Sequence, residues 1–198
     1  MNDNPLTPKH GYPIRAVLPG IAGARWVKWL DQITIQDHES TNFYQQRDYK
    51  VLPEDAVDTA SAEPHWSRTP PMYDTPINSV IGVPADGEVV ERGVKSASGK
   101  IEVKGYAVPA GVDGPVTRVQ VSVDHGGSWI DAEIGGCRGS KWCWVLWMVE
   151  VEVEPGIERE VWSRAFDAGG NVQQEHSQWN LRGVGYHGYG RARNLTIR

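Results

Sequence analysis

From position 77 onward the chain repeats one pattern: short apolar-rich runs at intervals of roughly ten residues, separated by turn formers. The runs cover 77–83, 87–91, 101–108, 116–123, 129–134, 144–153 and 159–165. Within them Val119, Val121 and Val123 alternate with Gln120 and Ser122, and Val149, Val151 and Val153 alternate with Glu150, Glu152 and Glu154. Successive side chains of a strand point to opposite faces, so this alternation predicts strands with one buried and one wet face. Many such strands in series build an antiparallel sandwich. No segment holds a helical period beyond about two turns, so the expected fold is mainly β.

The first part of the chain reads differently. Short strands are expected at 13–18 and 26–36, with Pro19-Gly20 as a turn between them, and one or two helical turns at 42–49. Residues 52–76 carry Pro53, Pro64, Pro70, Pro71 and Pro76 with little periodicity, which predicts an extended connector. The expected organisation is therefore a first segment of 1–50 and a β domain of 51–198, with 51–76 as the connector. A chain of 198 residues suits one domain, or one with a partial neighbour. Its apolar runs, such as 14–21 broken by Arg15 and Pro19, fall well short of the roughly 20 residues of a membrane span. A soluble chain with no membrane partner is expected. The net charge of −5 gives no electrostatic reason to bind nucleic acid. The N-terminus lacks the basic and apolar regions of a secretory signal, so the Asn194-Leu-Thr196 sequon is expected to go unused.

Charge is nonetheless uneven. Between Thr7 and Leu30 stand Lys9, His10, Arg15, Arg25 and Lys28 without a carboxylate, and between Trp179 and Arg198 stand Arg182, His187, Arg191, Arg193 and Arg198, again without one. Interleaved glycines would let main-chain amides approach an anion, Arg offers a planar fork and Lys a point charge. On the residues alone, a phosphate cradle and a loop with solvated cations both remain open. Ser122-Val-Asp124-His-Gly126-Gly-Ser128-Trp129 has the form of an Asp-box hairpin, whose Asp caps turn amides and whose functional reading is sugar recognition. Nine Trp stand against two Phe. At strand period Trp142 and Trp144 share a face opposite Cys143, which suits a core or a subunit interface. The two cysteines, Cys137 and Cys143, make neither a disulfide framework nor a zinc spacing, and no metal ligand set is read among them.

Five blocks, His10-Gly-Tyr-Pro-Ile-Arg15, Leu18-Pro-Gly20, Gly23-Ala-Arg-Trp-Val-Lys-Trp-Leu30, Arg47-Asp-Tyr-Lys50 and Trp179-Asn-Leu-Arg-Gly-Val184, resemble consecutive motifs of the sulfite oxidase family of molybdenum enzymes. The resemblance implies that 1–50 is the C-terminal edge of an α+β molybdopterin-binding domain, and that the sandwich is an immunoglobulin-like (E-set) dimerisation domain. It implies the molybdenum cofactor, with His10, Arg15 and Lys28 at the pterin or its phosphate beside the main chain of Trp26 and Val27. The Trp at 26 departs from the His often found there. The resemblance further implies Arg182 as a substrate arginine for sulfite or sulfate, reaching the pocket from the second domain, and it favours the sulfite oxidase branch over nitrate reductases.

The family's metal-binding cysteine thiolate belongs to an N-terminal stretch absent from this sequence, and neither Cys137 nor Cys143 matches it. The expected partners are therefore a second copy of the chain, a missing N-terminal half and a small oxyanion. The expected function is oxidation of sulfite to sulfate, to which this chain contributes one rim of the site. A non-catalytic dimerisation scaffold and a sugar-binding sandwich are the rival readings. Family members occupy mitochondria, peroxisomes or the bacterial periplasm, and the sequence does not choose among them.

Overall fold

A computed structural model describes residues 3–93, 99–136 and 140–198. The chain divides into two compact units, one of Met1–Thr75 with Gln178–Gly185, the other of Pro76–Ser177 with Tyr186–Arg198.

The first unit is mostly irregular, with two short helices, α1 (Phe43–Gln46) and α2 (Thr59–Ala62). Asn42 caps α1 by accepting from Tyr44 N at 2.9 Å. A reciprocal capping box holds α2: Asp58 accepts from Ser61 N at 2.8 Å, and Ser61 Oγ accepts from Asp58 N at 3.0 Å. The expected strands at 13–18 and 26–36 do not form. Pro13 and Pro19 have no N–H to give a ladder, and pairing shrinks to Ala16 N donating to Val27 O and Leu30 N to Ile14 O. The expected connector is also more structured than its prolines suggest. Leu52, Ala56 and Ala62 are buried together against Trp66 and Leu181, so 51–75 packs with the first unit.

The second unit is an immunoglobulin-like sandwich with nine strands among the described residues: β1 (Asn78–Val83), β2 (Val89–Val90), β3 (Lys100–Val108), β4 (Val116–Ser122), β5 (Ile130–Asp131), β6 (Glu133–Gly135), β7 (Val145–Glu152), β8 (Gly156–Asp167) and β9 (Gly190–Ile197). One sheet runs β1-β3-β7-β6 and the other β2-β9-β8-β4-β5. Pairing is antiparallel except for β2 on β9. The alternating valines do what their period predicts: Val119 and Val121 of β4 and Val151 of β7 lie in the core with Val103, Val161 and Leu195. Burial of each such side chain contributes about 1.5–3 kcal/mol.

Two features depart from the expected strand pattern. The run 129–134 is split, with β5 pairing β4 and β6 pairing β7, so the chain crosses between sheets at Ala132, whose N–H donates to Val119 O. Strand β9 was not expected. Its buried residues are Ala192, Leu195 and Ile197, and the break in period falls at Asn194, which takes φ +56°. Such an irregularity removes the alternation from the sequence while the strand still pairs.

Candidate functional site

Two candidate clusters take shape in the first unit. At the first, the turn Pro8–His10 ends on Gly11, which takes φ +104°. The Ala16–Val27 and Leu30–Ile14 hydrogen bonds lay 14–16 against 27–30, and this sets Arg15 beside Lys28. Gly11 floors the cluster: a Cβ there would stand 3.1 Å from Arg15 Cβ and 3.2 Å from Lys28 Cβ. Arg15 Nη1 donates to His10 O and Lys28 Nζ to Lys9 O, each at 3.2 Å. His10 Nδ1 lies 2.7 Å from Thr7 Oγ1. Neither Arg15 nor Lys28 has a carboxylate partner among the described residues. Trp26 orients the wall. Its indole donates to Ile21 O at 2.9 Å, and Arg15 stands 5.9 Å from its ring centre. The Trp26 N–H is already engaged by Gly23 O, so of the two expected main-chain contacts Val27 keeps the available amide. His10, Arg15, Trp26, Val27 and Lys28 are thus brought together. Unneutralised cations on a glycine floor fit an anionic group such as a phosphate.

The second cluster centres on Arg182. Residues 180–184 of its motif each have a physical task. The Asn180 side chain donates to Val184 O at 2.9 Å and accepts from Val184 N at 3.2 Å, closing the loop. Leu181 packs on the Leu52 cluster, and Gly183 takes φ +61°. Arg182 is left at the tip, where Nε and Nη2 donate to Asp48 Oδ1 at 2.9 and 2.6 Å. Asp48 is 7% exposed, so this carboxylate is held where the guanidinium finds it. Nη1 of Arg182 makes no hydrogen bond among the described residues. The loop Gln178–Gly185 that carries Arg182 packs in the first unit.

Asp48 stands within the motif Arg47-Asp-Tyr-Lys50, where no role is expected for it from the sequence. The signal was present in the type of residue, a carboxylate in an otherwise cationic motif. Its neighbour Tyr49 takes φ +45°, uncommon for a non-glycine residue. Arg25, one of the cations between Thr7 and Leu30, is engaged elsewhere. It donates to Met72 O and Gln45 Oε1 and lies near the rings of Tyr49 and Tyr73, at 5.8 and 5.2 Å.

The other candidates resolve in the second unit. Both Asp124 oxygens face their own turn, accepting from Ser128 N and Oγ at 2.8 and 2.6 Å and from Ser122 Oγ at 2.7 Å. These bonds, that to the Ser128 hydroxyl foremost, lower the Asp124 pKa from the ordinary 3.8 to about 2. Trp129 donates to Gly126 O, and Arg164 covers its ring at 3.9 Å. The Asp-box is thus internally satisfied. Cys143 is half-buried, Cys137 lies outside the described residues, and no cluster of metal-ligating side chains occurs among the described residues.

The chain thus holds an immunoglobulin-like sandwich and, within the first unit, a glycine-floored cluster of cations. The family model "Mo-co oxidoreductase dimerisation domain" matches residues 69–193, and "Oxidoreductase molybdopterin binding domain" matches 1–44. The chain therefore belongs to the sulfite oxidase-type family of molybdenum oxidoreductases. It is 38% identical over 196 residues to sulfite oxidase of Arabidopsis thaliana, covering 93% of this chain and 47% of that protein. It is also 38% identical over 191 residues to a nitrate reductase [NAD(P)H] of Hordeum vulgare, covering 92% of this chain and 21% of that protein. The sulfane dehydrogenase SoxCD of Paracoccus pantotrophus superposes with a TM-score of 0.70 at 27% identity, covering 94% of this chain and 44% of that one. The chain thus spans less than half the length of these relatives. No helix among the described residues is long and apolar enough to cross a membrane.

Proposed function

We propose that the chain is the part of a sulfite-oxidising molybdenum enzyme that supplies one wall of the cofactor site, one substrate arginine and the surface of a homodimer. His10, Arg15 and Lys28, with the Val27 amide, would hold the pterin and its phosphate. Arg182 would hold the sulfite or sulfate oxyanion through its unspent Nη1, and Asp48 would keep the guanidinium in place. The observation that carries this reading is the return of Gln178–Gly185 to the first unit, which puts Arg182 on Asp48 across 134 positions of sequence. When bound, molybdenum supplies two-electron oxygen-transfer chemistry. The chain's own part is to neutralise anionic charge and to orient it, which guanidinium groups do best where water is scarce.

Sulfite and nitrate are not separated by overall identity to the relatives; the Arg182 motif is what supports sulfite. In the molybdenum-loaded enzyme that contains this chain, Arg182→Met is expected to raise KM for sulfite by about 10- to 100-fold, the worth of a charge-assisted hydrogen bond, with molybdenum content unchanged. Arg15→Ala is expected to lower the molybdenum and pterin content instead. An unchanged KM in the first variant overturns the substrate assignment, and unchanged content in the second overturns the cradle.

A second reading draws on exposed apolar side chains in the first unit: Ile14, Val27, Ile33 and Ile35 are all exposed, Ile35 to 96%. Such a strip calls for cover by further protein. A dimerisation scaffold that recruits a partner through it would show the same strip and would hold no molybdenum in any assembly.

A further inference from the structure

Arg25 differs from Arg15 and Lys28 in how it is held. Its Nε donates to Met72 O at 3.3 Å and its Nη1 to Gln45 Oε1. The guanidinium lies 5.2 Å from the ring centre of Tyr73 and 5.8 Å from that of Tyr49. The Gln45 amide in turn donates to Tyr73 Oη at 2.7 Å and to Glu39 Oε1 at 2.6 Å, so the acceptor is itself fixed. Nη2 of Arg25 is buried and makes no hydrogen bond among the described residues. With two nitrogens bonded to protein and the third buried, Arg25 is not arranged to bind a small anion itself.

What Arg25 holds is the corner that carries Asp48. Tyr49 takes φ +45°, a conformation that disfavours any residue with a Cβ and that a bulky one keeps only where its surroundings impose it. Two contacts impose it here. Met72 N donates to Tyr49 O at 2.8 Å, and Met72 is the residue whose carbonyl Arg25 grips. The Tyr49 ring meets the Arg25 guanidinium in a cation–π contact. The corner aims Asp48, because Tyr49 N donates to Asp48 Oδ1 at 2.9 Å, the same oxygen that receives Nε and Nη2 of Arg182. A chain of hydrogen-bonded residues thus runs from Arg25 through Met72, Tyr49 and Asp48 to Arg182, all within the first unit.

We infer that Arg25 is a positioning residue for the substrate arginine: it fixes the Tyr49 corner, the corner aims the Asp48 carboxylate, and the carboxylate sets the direction in which Arg182 presents Nη1. The inference rests on the assignment of Arg182 to the oxyanion in the proposed function, and goes beyond it by naming what sets the geometry. A misplacement of about 1 Å in a binding group can cost ~100-fold, so control of direction at this distance matters. The planar fork is what counts, not the charge. Only a guanidinium reaches Met72 O with Nε and Gln45 Oε1 with Nη1 at once, whereas a lysine brings one nitrogen.

Steady-state kinetics and side-chain NMR test this together. In the molybdenum-loaded enzyme that contains this chain, Arg25→Lys keeps the charge and loses the fork. It is expected to raise KM for sulfite about 10-fold, with kcat and molybdenum content unchanged. In an Arg182→Met background the same substitution is expected to add nothing, because the path it acts through is gone. In the 198-residue chain the Arg182 Nε–H, bonded to Asp48, is expected to exchange with water at least about 10-fold faster in Arg25→Lys than in wild type. Gln45→Met, which leaves Arg25 in place without its acceptor, is expected to move both readouts the same way by a smaller factor, and it carries the test if circular dichroism shows Arg25→Lys unfolded. A merely structural role lowers the melting temperature and moves neither readout. Arg182→Met with an unchanged KM overturns the substrate reading and this inference with it. Where Arg182→Met does raise KM, a folded Arg25→Lys that leaves either readout at its wild-type value overturns this inference alone, as does a KM rise of equal size in the Arg182→Met background.

Discussion

At the scale of residues, Asp124 shows how a motif known for ligands can be consumed by its own turn. Its carboxylate is stabilised by three donors in the folded chain, which is why its pKa falls to about 2. The folded pKa lies below the unfolded one, so this contribution to stability is fully present above about 3.8 and is lost as the pH falls towards 2. Carboxyl-carbon NMR of the folded chain is expected to show the Asp124 midpoint near 2, and Ser128→Ala is expected to move it up towards 3.8. A midpoint already at the ordinary value would show the turn to be open in solution. Arg182 is the opposite case. Its motif residues are spent on shaping a loop, and that leaves one side of the guanidinium unspent.

At the scale of elements, the two sheets of the sandwich are joined by a buried polar bridge as well as by apolar packing. Ser79 of β1 lies 2.9 Å from Ser163 of β8 and donates to Gln173 Oε1 at 2.7 Å. Gln173 also accepts from Ala165 N at 2.9 Å and donates to Gly188 O at 2.7 Å. Removing the amide leaves these groups buried without partners, so Gln173→Ala is expected to cost about 1–3 kcal/mol or more in denaturant unfolding. A loss below about 0.5 kcal/mol would mean that water replaces the amide. The bridge was not legible in the sequence, because nothing local to Ser79, Ser163 or Gln173 announces that three distant polar residues share one site. Strand β7 was legible, because its apolar period runs unbroken through Val145, Trp147, Val149 and Val151; β9 was not, because Asn194 interrupts the period while the ladder continues.

At the scale of the whole molecule, the two units differ in what holds them. The second has a continuous apolar core drawn from both sheets; the first has Leu52, Ala56 and Ala62, with much of the rest held by caps, main-chain bonds and the Arg182–Asp48 pair. Amide hydrogen exchange is therefore expected to be slowest in β3, β7 and β8 and faster by orders of magnitude across 12–45, where few backbone bonds are buried. Uniform protection along the chain would contradict that division. The class of fold and the face each valine would bury were settled by the sequence itself, since period is a property of neighbouring residues, whereas the grouping of His10, Arg15 and Lys28 was implied by the family resemblance alone. Only the tertiary structure decided that Asp48 meets Arg182 and that the prolines of 52–76 pack instead of extending. Those outcomes depend on which distant side chains compete for the same buried space, and no local pattern encodes that competition.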